Sequence, residues 1–252
     1  MSNPYGNQPS RQLGLFDAPS ERADSPAPAR ESAIGASLAF CAQVGADGSA
    51  SAIPDLVALC ERLTGWGTRR APPEQRAALD ALARIGGAEA ATAVGRMLEH
   101  GVFGPPIMGH ALDVAWRLRA PVPAKRVRDS LHAADPDERV AACRCARTTH
   151  RLGAELRKLL TDPFPEVARA AACALGAMGD GSARPALLAL LEHAPAADMI
   201  AALGACADET ATVALGRLAL HVPAWRDDAT AALESLDTPL AEQWIERLRP
   251  IV

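Results

Sequence analysis

The sequence predicts an all-α protein, a right-handed α-solenoid of about five to six helix pairs that follows a disordered N-terminal tail. The first observation is composition: 49% of the residues are apolar, mainly Ala, Leu and Val, and only 4% are aromatic. Such a core suits closely packed helices better than β-branched strands. The second is repetition, because residues 93–100, 186–193 and 214–221 read AVGRMLEH, ALLALLEH and ALGRLALH. Similar segments with helical periodicity indicate a helical repeat array.

The chain divides into three parts by composition. Residues 1–32 are rich in Ser, Pro, Asn, Gln and Ala, which cannot offset the entropy lost on folding, so we expect a disordered tail. Residues 33–51 are expected to form a short helix (33–44) and a loop (45–51, GADGSAS). Residues 52–252 contain the repeats, and we assign them to the solenoid.

Two segments carry a more specific resemblance. Residues 135–142 (DPDERVAA) and 162–171 (DPFPEVARAA) resemble the opening of a HEAT repeat of the short, phycobilin-lyase-like class. Here Asp is a good helix N-cap, Pro fits the first helical position, and an acidic residue suits the first turn. The resemblance covers roughly residues 52–248 and implies a solenoid of helix pairs, with residues 224–248 as its terminal cap. It implies no activity.

Charge and cysteine content argue against several classes of function. The formal net charge of −4 disfavours general adhesion to nucleic acids or anionic membranes. We expect no signal peptide and no membrane span, because the sequence has no charged-then-apolar leader and no apolar run of about 18 residues. The six cysteines form no C-x-x-C pair and predict neither a disulfide framework nor a zinc site. We expect a cytoplasmic monomer.

Charge is unevenly distributed along the repeats. Residues 117–158 contain 11 Lys and Arg against 5 Asp and Glu, a net of +6, whereas residues 159–252 contain 6 against 13, a net of −7. One interpretation is that these are solvated helix faces. The other is a basic concave surface that binds phosphates or an acidic partner. The candidate contacts in that interpretation are Arg117, Lys125, Arg126, Arg128, Arg144, Arg147 and Arg151.

The sequence contains no recognisable catalytic motif such as H-E-x-x-H, a P-loop or G-x-S-x-G. HEAT-repeat deoxyhypusine hydroxylases bind iron through His-Glu pairs, but the dipeptides at 99–100 and 192–193 have the reversed order, Glu-His. His100, His193 and His221 recur at the end of a second helix, where a His suits the negative end of the helix dipole. We therefore predict no catalytic residue, metal site or cofactor.

An enzymatic alternative rests on a resemblance in residue types. A subset of HEAT-like solenoids are DNA glycosylases for alkylated purines, which hold the duplex in a basic concave face and use a carboxylate with aromatic residues. Asp113 and Trp116 lie three residues apart, hence on one helix face, beside the basic stretch. This alternative requires the basic residues of 117–158 to gather around Asp113. Otherwise Trp116 is expected to be a packing residue.

The N-terminal segment contains a short linear motif. Residues 12–16, Gln-Leu-Gly-Leu-Phe, resemble the Q-L-x-L-F pattern by which many bacterial replication and repair proteins bind the sliding clamp. The resemblance implies that Leu15 and Phe16 fill an apolar pocket, that Leu13 adds contact and that Gln12 forms a hydrogen bond. Such a motif orders only on binding, which suits a disordered tail. The alternative is that the segment packs back on the solenoid.

These patterns favour a non-catalytic adaptor, in which the solenoid binds a protein, or less favourably DNA, and the N-terminal arm docks on the sliding clamp. One alternative is an alkylpurine DNA glycosylase or DNA-binding repair accessory centred on Asp113. The other is a generic scaffold with no link to the clamp.

Overall fold

The computed structural model describes residues 27–64, 71–147 and 150–249. Within these ranges the chain forms fourteen α-helices and no β-strand, which confirms the predicted all-α solenoid of helix pairs. The helices are α1 (Ala27–Asp47), α2 (Ile53–Arg62), α3 (Pro73–Ile85), α4 (Gly87–Glu99), α5 (Pro105–Leu118), α6 (Ala124–Leu131), α7 (Pro136–Ala146), α8 (Gly153–Leu159), α9 (Pro165–Ala177), α10 (Arg184–His193), α11 (Ala197–Ala205), α12 (Glu209–His221), α13 (Arg226–Glu234) and α14 (Pro239–Leu248). Short 3-10 helices cover Ala50–Ala52, His150–Leu152, Gly181–Ala183 and Pro223–Trp225.

The helices form two layers. The odd-numbered helices pack on one another in order, from α1 against α3 to α11 against α13. The even-numbered helices form the second layer, which contains the three repeated segments in α4, α10 and α12. The described helices make seven pairs, more than the five to six predicted, because α1 and α2 stack on α3 and α4 as an additional pair.

The first helix begins earlier than predicted. It starts at Ala27, whereas the sequence predicts a disordered tail over residues 1–32 and a helix only from residue 33. Pro28 does not oppose this start, because proline suits the first turn of a helix, where its missing N–H has no partner to lose. Residues 27–32, which the sequence assigns to the tail, therefore belong to the helix.

The same helix also ends later than predicted, since residues 45–47 are helical rather than part of a loop. Gly45 remains in the helix because it packs against α3. A Cβ added to Gly45 would lie 3.1 Å from the Cα of Ala81, which is tighter than ordinary van der Waals contact. The absence of a side chain thus lets the two helices approach closely, and this packing outweighs the low helix propensity of glycine.

The two Asp-Pro openings start their helices differently. Asp135 is the N-cap of α7, as predicted, and its carboxylate accepts a hydrogen bond from the backbone N–H of Asp137 at 3.0 Å. The same expectation for Asp162 is wrong, because α9 begins at Pro165 and its N-cap is Phe164. Proline holds the residue before it in an extended conformation, here φ −97° and ψ 115°, so the helix starts later.

A row of arginine–carboxylate pairs links consecutive repeats. The guanidinium of Arg139 donates two hydrogen bonds of 3.0 Å to the buried carboxylate of Asp162, and its third nitrogen donates to the carbonyls of Ala133 and Ala134. Burial opposes ionisation of Asp162, but the hydrogen bonds from Arg139 and from the Phe164 backbone lower its pKa. Two simpler, more exposed pairs follow: Arg157 donates two hydrogen bonds to one oxygen of Asp180, and Arg184 donates one to Asp208.

The C-terminal repeat is covered by the apolar residues predicted as its cap. Trp244 of α14 is buried against α12, directly over Gly216. Trp225, Ile245 and Leu248 are partly buried against the same core. None of the helices in the described ranges is long and apolar enough to cross a membrane.

Candidate functional site

The outward surface of the odd-numbered layer is concave at its centre. The guanidinium of Arg147, at the end of α7, lies 3.3 Å from the carboxylate of Asp198 in α11, although α9 lies between these two helices. Packed helices are about 8–10 Å apart, so α7 and α11 in a flat row would be separated by roughly twice that distance. Direct contact between their side chains indicates that the row curves toward this surface. We call the outward surfaces of α5, α7, α9 and α11 the concave face.

Two carboxylates on the concave face are each shared by two arginines. Asp113 of α5 lies 2.8 Å from Arg144 and 3.3 Å from Arg117. Asp198 lies 3.3 Å from Arg147 and 3.7 Å from Arg169 of α9. Each guanidinium carries five N–H donors. The two carboxylates have too few acceptor positions to satisfy the donors of all four guanidinium groups. The guanidinium groups at the centre of the face therefore keep unused N–H donors.

An apolar groove adjoins these arginines. The Trp116 ring lies 5.2 Å from the guanidinium carbon of Arg147, a distance typical of a cation–π contact. Trp116 also packs against the core, as expected for a packing residue, and forms one wall of a groove of about 590 Å³. The remaining lining residues are Ala115, Arg119, Ala120, Pro121, Val122 and Cys145.

The backbone beside this groove is strained at Arg119. Its φ of 54° lies in the left-handed region, and it is the only residue other than glycine with positive φ in the described ranges. Such a conformation costs about 1–3 kcal/mol and is retained only where the surroundings require it. Here it ends α5 and turns the chain into Ala120, Pro121 and Val122, which line the groove.

A histidine–aspartate contact extends the polar network toward α3. Nε2 of His110 lies 2.9 Å from the carboxylate of Asp80. Burial lowers the pKa of His110 below its usual value, while Asp80 acts in the opposite direction and the nearby Arg76 and Arg117 lower it further. His110 is therefore held in its neutral form at neutral pH.

The lowered pKa of His110 predicts a pH-dependent stability. The unfolded chain binds a proton at about pH 6.5, before the folded protein does, so stability is lost as the pH falls from 6.5 toward the folded pKa. We expect the melting temperature to fall less between pH 7.5 and 5.5 in His110→Gln than in the wild type. The exposed His193 supplies the control, His193→Gln, which should keep the wild-type dependence. Identical profiles for all three proteins would contradict this assignment.

The structure separates the predicted basic residues into two groups. Arg117, Arg144 and Arg147 lie on the concave face, close to Asp113 or Trp116. The glycosylase alternative requires the basic residues to gather around Asp113, and Arg117 and Arg144 contact its carboxylate. The others do not: Lys125, Arg126 and Arg128 lie on α6 in the even-numbered layer, and Arg151 lies in the 3-10 segment that follows α7. Lys125 pairs with Asp129 at 2.9 Å, and Arg128 pairs with Glu155 at 3.1 Å.

Sequence reasoning missed two members of the site, Arg169 and Asp198. They lie on α9 and α11, outside the basic stretch of residues 117–158 on which the predicted basic surface rests. The only sequence signal for Arg169 is helical spacing, which places residues 166, 169 and 173 on one face of α9. No sequence signal identifies Asp198, since its role depends on curvature.

The remaining candidates carry no visible chemistry in the described residues. Burial raises the pKa of the Cys60, Cys143 and Cys145 thiols to about 12, so they are not activated nucleophiles. His193 and His221 close α10 and α12, as predicted. Within the described ranges, no three His, Cys, Asp or Glu side chains lie together as metal ligands would. The motif residues Gln12, Leu13, Leu15 and Phe16 lie outside the described residues, and their role stays a prediction.

Comparison with known proteins identifies the repeats and not the activity. Residues 124–207 match the profile of the family described as HEAT repeats. The matched residues include α6 to α11, and therefore Arg144, Arg147, Arg169 and Asp198 of the concave face. No curated protein matches the chain. The match supports a HEAT-like repeat family, whose members generally serve as protein-interaction scaffolds and are generally non-catalytic.

Proposed function

We propose that this protein is a non-catalytic adaptor, whose concave face binds a protein partner and whose N-terminal segment docks on a bacterial sliding clamp. One observation carries the first half of the proposal. HEAT-like repeats here form a curved surface on which four arginines share two carboxylates beside an apolar groove. A surface with exposed charge and an adjacent apolar anchor site suits protein recognition.

The second half rests on the chemistry of residues 12–16. Leu13, Leu15 and Phe16 are large apolar side chains in an otherwise polar N-terminal region, and they gain free energy only if a partner buries them. Ten residues, 17–26, separate the motif from the start of α1. An extended chain spans up to about 3.3–3.6 Å per residue, so this linker could hold the solenoid within a few nanometres of the clamp. Tethering of this kind raises the effective concentration of the solenoid near the DNA.

Calorimetry with the purified clamp of the same organism tests the docking proposal. We expect the wild-type protein to bind and the double variant Leu15→Ala/Phe16→Ala to lose binding, because it removes both anchoring side chains. The matched control Ser10→Ala/Ser20→Ala lies on either side of the motif and should bind like the wild type. Absence of binding by the wild type, or equal binding by the double variant, would leave a scaffold without a clamp link.

A role on DNA is the second candidate, because Arg117, Arg144 and Arg147 gather around Asp113 and Trp116. In a glycosylase the carboxylate would stabilise positive charge on the sugar or base during excision. Here Asp113 already pairs with two guanidinium groups, which reduces its availability for that task. Incubation with duplex DNA containing alkylated purines decides the matter: base release that disappears in Asp113→Asn would establish the enzyme.

A further inference from the structure

We infer that the concave face binds an extended, acidic polypeptide segment that carries an apolar side chain. The acidic residues of the segment pair with Arg144, Arg147 and Arg169, and its apolar side chain enters the groove beside Trp116. This inference rests on the proposed protein-binding function and adds the chemical class of the partner. It does not depend on the clamp-docking motif.

The internal ion pairs hold the arginines in place and leave part of their N–H donors unused. Asp113 and Asp198 each contact two guanidinium groups, and the contacts of Asp198 are 3.3 and 3.7 Å long. The side chains of Arg144 and Arg169 remain 43% and 44% exposed, so an incoming carboxylate can reach them. Because these arms are already oriented, binding costs little side-chain entropy.

Arg147 connects the charged and apolar parts of the face. Its guanidinium contacts both the carboxylate of Asp198 and the ring of Trp116, so the two subsites share one residue. Its Nε is buried and has no hydrogen-bond partner. The side chain is only 17% exposed, so an incoming carboxylate meets the edge of the guanidinium and not the buried Nε. The acidic residue and the apolar anchor must then be neighbours in the bound segment.

Negative charge at one border of the face limits where the acidic residues can lie. A smaller groove of about 290 Å³ between α7, α9 and α11 is lined by Arg144, Arg147 and Arg169, but also by Asp137 and Glu166. Asp137 and Glu166 occupy the first turns of α7 and α9. Like charges there would repel an acidic segment, so its carboxylates are confined to the side near the end of α7 and the middle of α9. The bound segment is therefore expected to lie in one register on the face, because its carboxylates can occupy only these positions.

The charge distribution favours a polypeptide over nucleic acid as the occupant. A duplex carries a phosphate charge at every step, and on this surface it would continue past Asp137 and Glu166 toward residues 159–252, which carry a net charge of −7. A peptide can place its carboxylates only where arginines lie. The apolar groove also matches a buried side chain better than it matches a sugar–phosphate backbone.

Fluorescence anisotropy with a labelled decapeptide tests the inference on the full-length protein. The probe contains one central phenylalanine flanked by glutamates, and a second probe replaces the phenylalanine with glycine. We expect the first probe to bind, the second to bind several-fold more weakly, and Arg144→Glu/Arg169→Glu to weaken the first at least tenfold. The control Arg217→Glu changes an exposed arginine on α12 in the other layer, and it should bind like the wild type.

Three outcomes would overturn the inference. In the first, the phenylalanine probe does not bind. In the second, charge reversal at Arg144 and Arg169 leaves its binding unchanged. In the third, a 12-base-pair DNA duplex binds more tightly than the probe, and the same charge reversal abolishes duplex binding. The last result would assign the face to nucleic acid. If circular dichroism shows that the double reversal unfolds the protein, the neutral pair Arg144→Gln/Arg169→Gln provides the same comparison. Clamp binding by residues 12–16 is measured separately, so failure of one proposal leaves the other intact.

Discussion

Arg139→Ala is expected to lower the free energy of unfolding by about 3 kcal/mol, the cost typical of removing one partner from a buried ion pair. The side chains of Arg139 and Asp162 are only 10% and 6% exposed. Removal of the guanidinium leaves the carboxylate of Asp162 with the Phe164 backbone as its remaining donor, and it leaves the carbonyls of Ala133 and Ala134 without their bonds to Arg139. Chemical denaturation followed by circular dichroism measures the effect.

The matched comparison is Arg157→Ala in the next pair of the same row. The side chain of Arg157 is 53% exposed, so water can replace the lost contact with Asp180. Exposed ion pairs contribute about 1 kcal/mol or less. If Arg139→Ala lowers the free energy of unfolding no more than Arg157→Ala does, burial of the Arg139–Asp162 pair has no energetic consequence.

Gly216→Ala is expected to destabilise the C-terminal repeat by about 1–3 kcal/mol, the range for overpacking a close contact. A Cβ at this position would collide with the indole of Trp244, which lies directly over the glycine. Because Trp244 belongs to the terminal cap, its displacement also exposes the apolar face beneath it. The midpoint of denaturation should fall, and the fluorescence of the cap should change with it.

The same substitution at Gly35 provides the control. Gly35 lies in α1 and is exposed, and a Cβ added there has no neighbouring atom within 4 Å. Gly35→Ala should therefore stabilise the protein by about 0.5–1 kcal/mol through helix propensity alone. If Gly216→Ala lowers the free energy of unfolding and Gly35→Ala raises it, the contact with Trp244 is the cause of the destabilisation. A stabilising effect at both would mean that the cap moves aside without cost.

The arginines of this protein serve two purposes that the sequence does not separate. Arg139 lies in the same basic stretch as Arg144 and Arg147, yet it is buried and joins two repeats, whereas the other two lie on the concave face. Arg139 and Arg144 are five residues apart on α7, so their side chains point in different directions, one into the contact between repeats and the other onto the concave face. A count of basic residues along the chain therefore overestimates how many of them lie on the concave face.

The sequence by itself determined the helical class, the repeat and the terminal cap. These features depend on local properties: apolar periodicity, the Asp-Pro opening at Asp135 and the apolar residues around Trp244. Each is encoded within one or two turns of helix, so the pattern can be read without knowledge of the rest of the chain.

Only the tertiary structure decided which surface is concave and which charges meet there. Curvature is the sum of small rotations between successive repeats, and no short segment of sequence encodes that sum. Arg147 and Asp198 lie 51 residues apart and meet because the row of helices bends. The same packing keeps Gly45 in α1, through its contact with Ala81, where local propensity predicts a loop. Long-range packing thus placed the candidate site, because its members come from four helices that only the folded solenoid brings together.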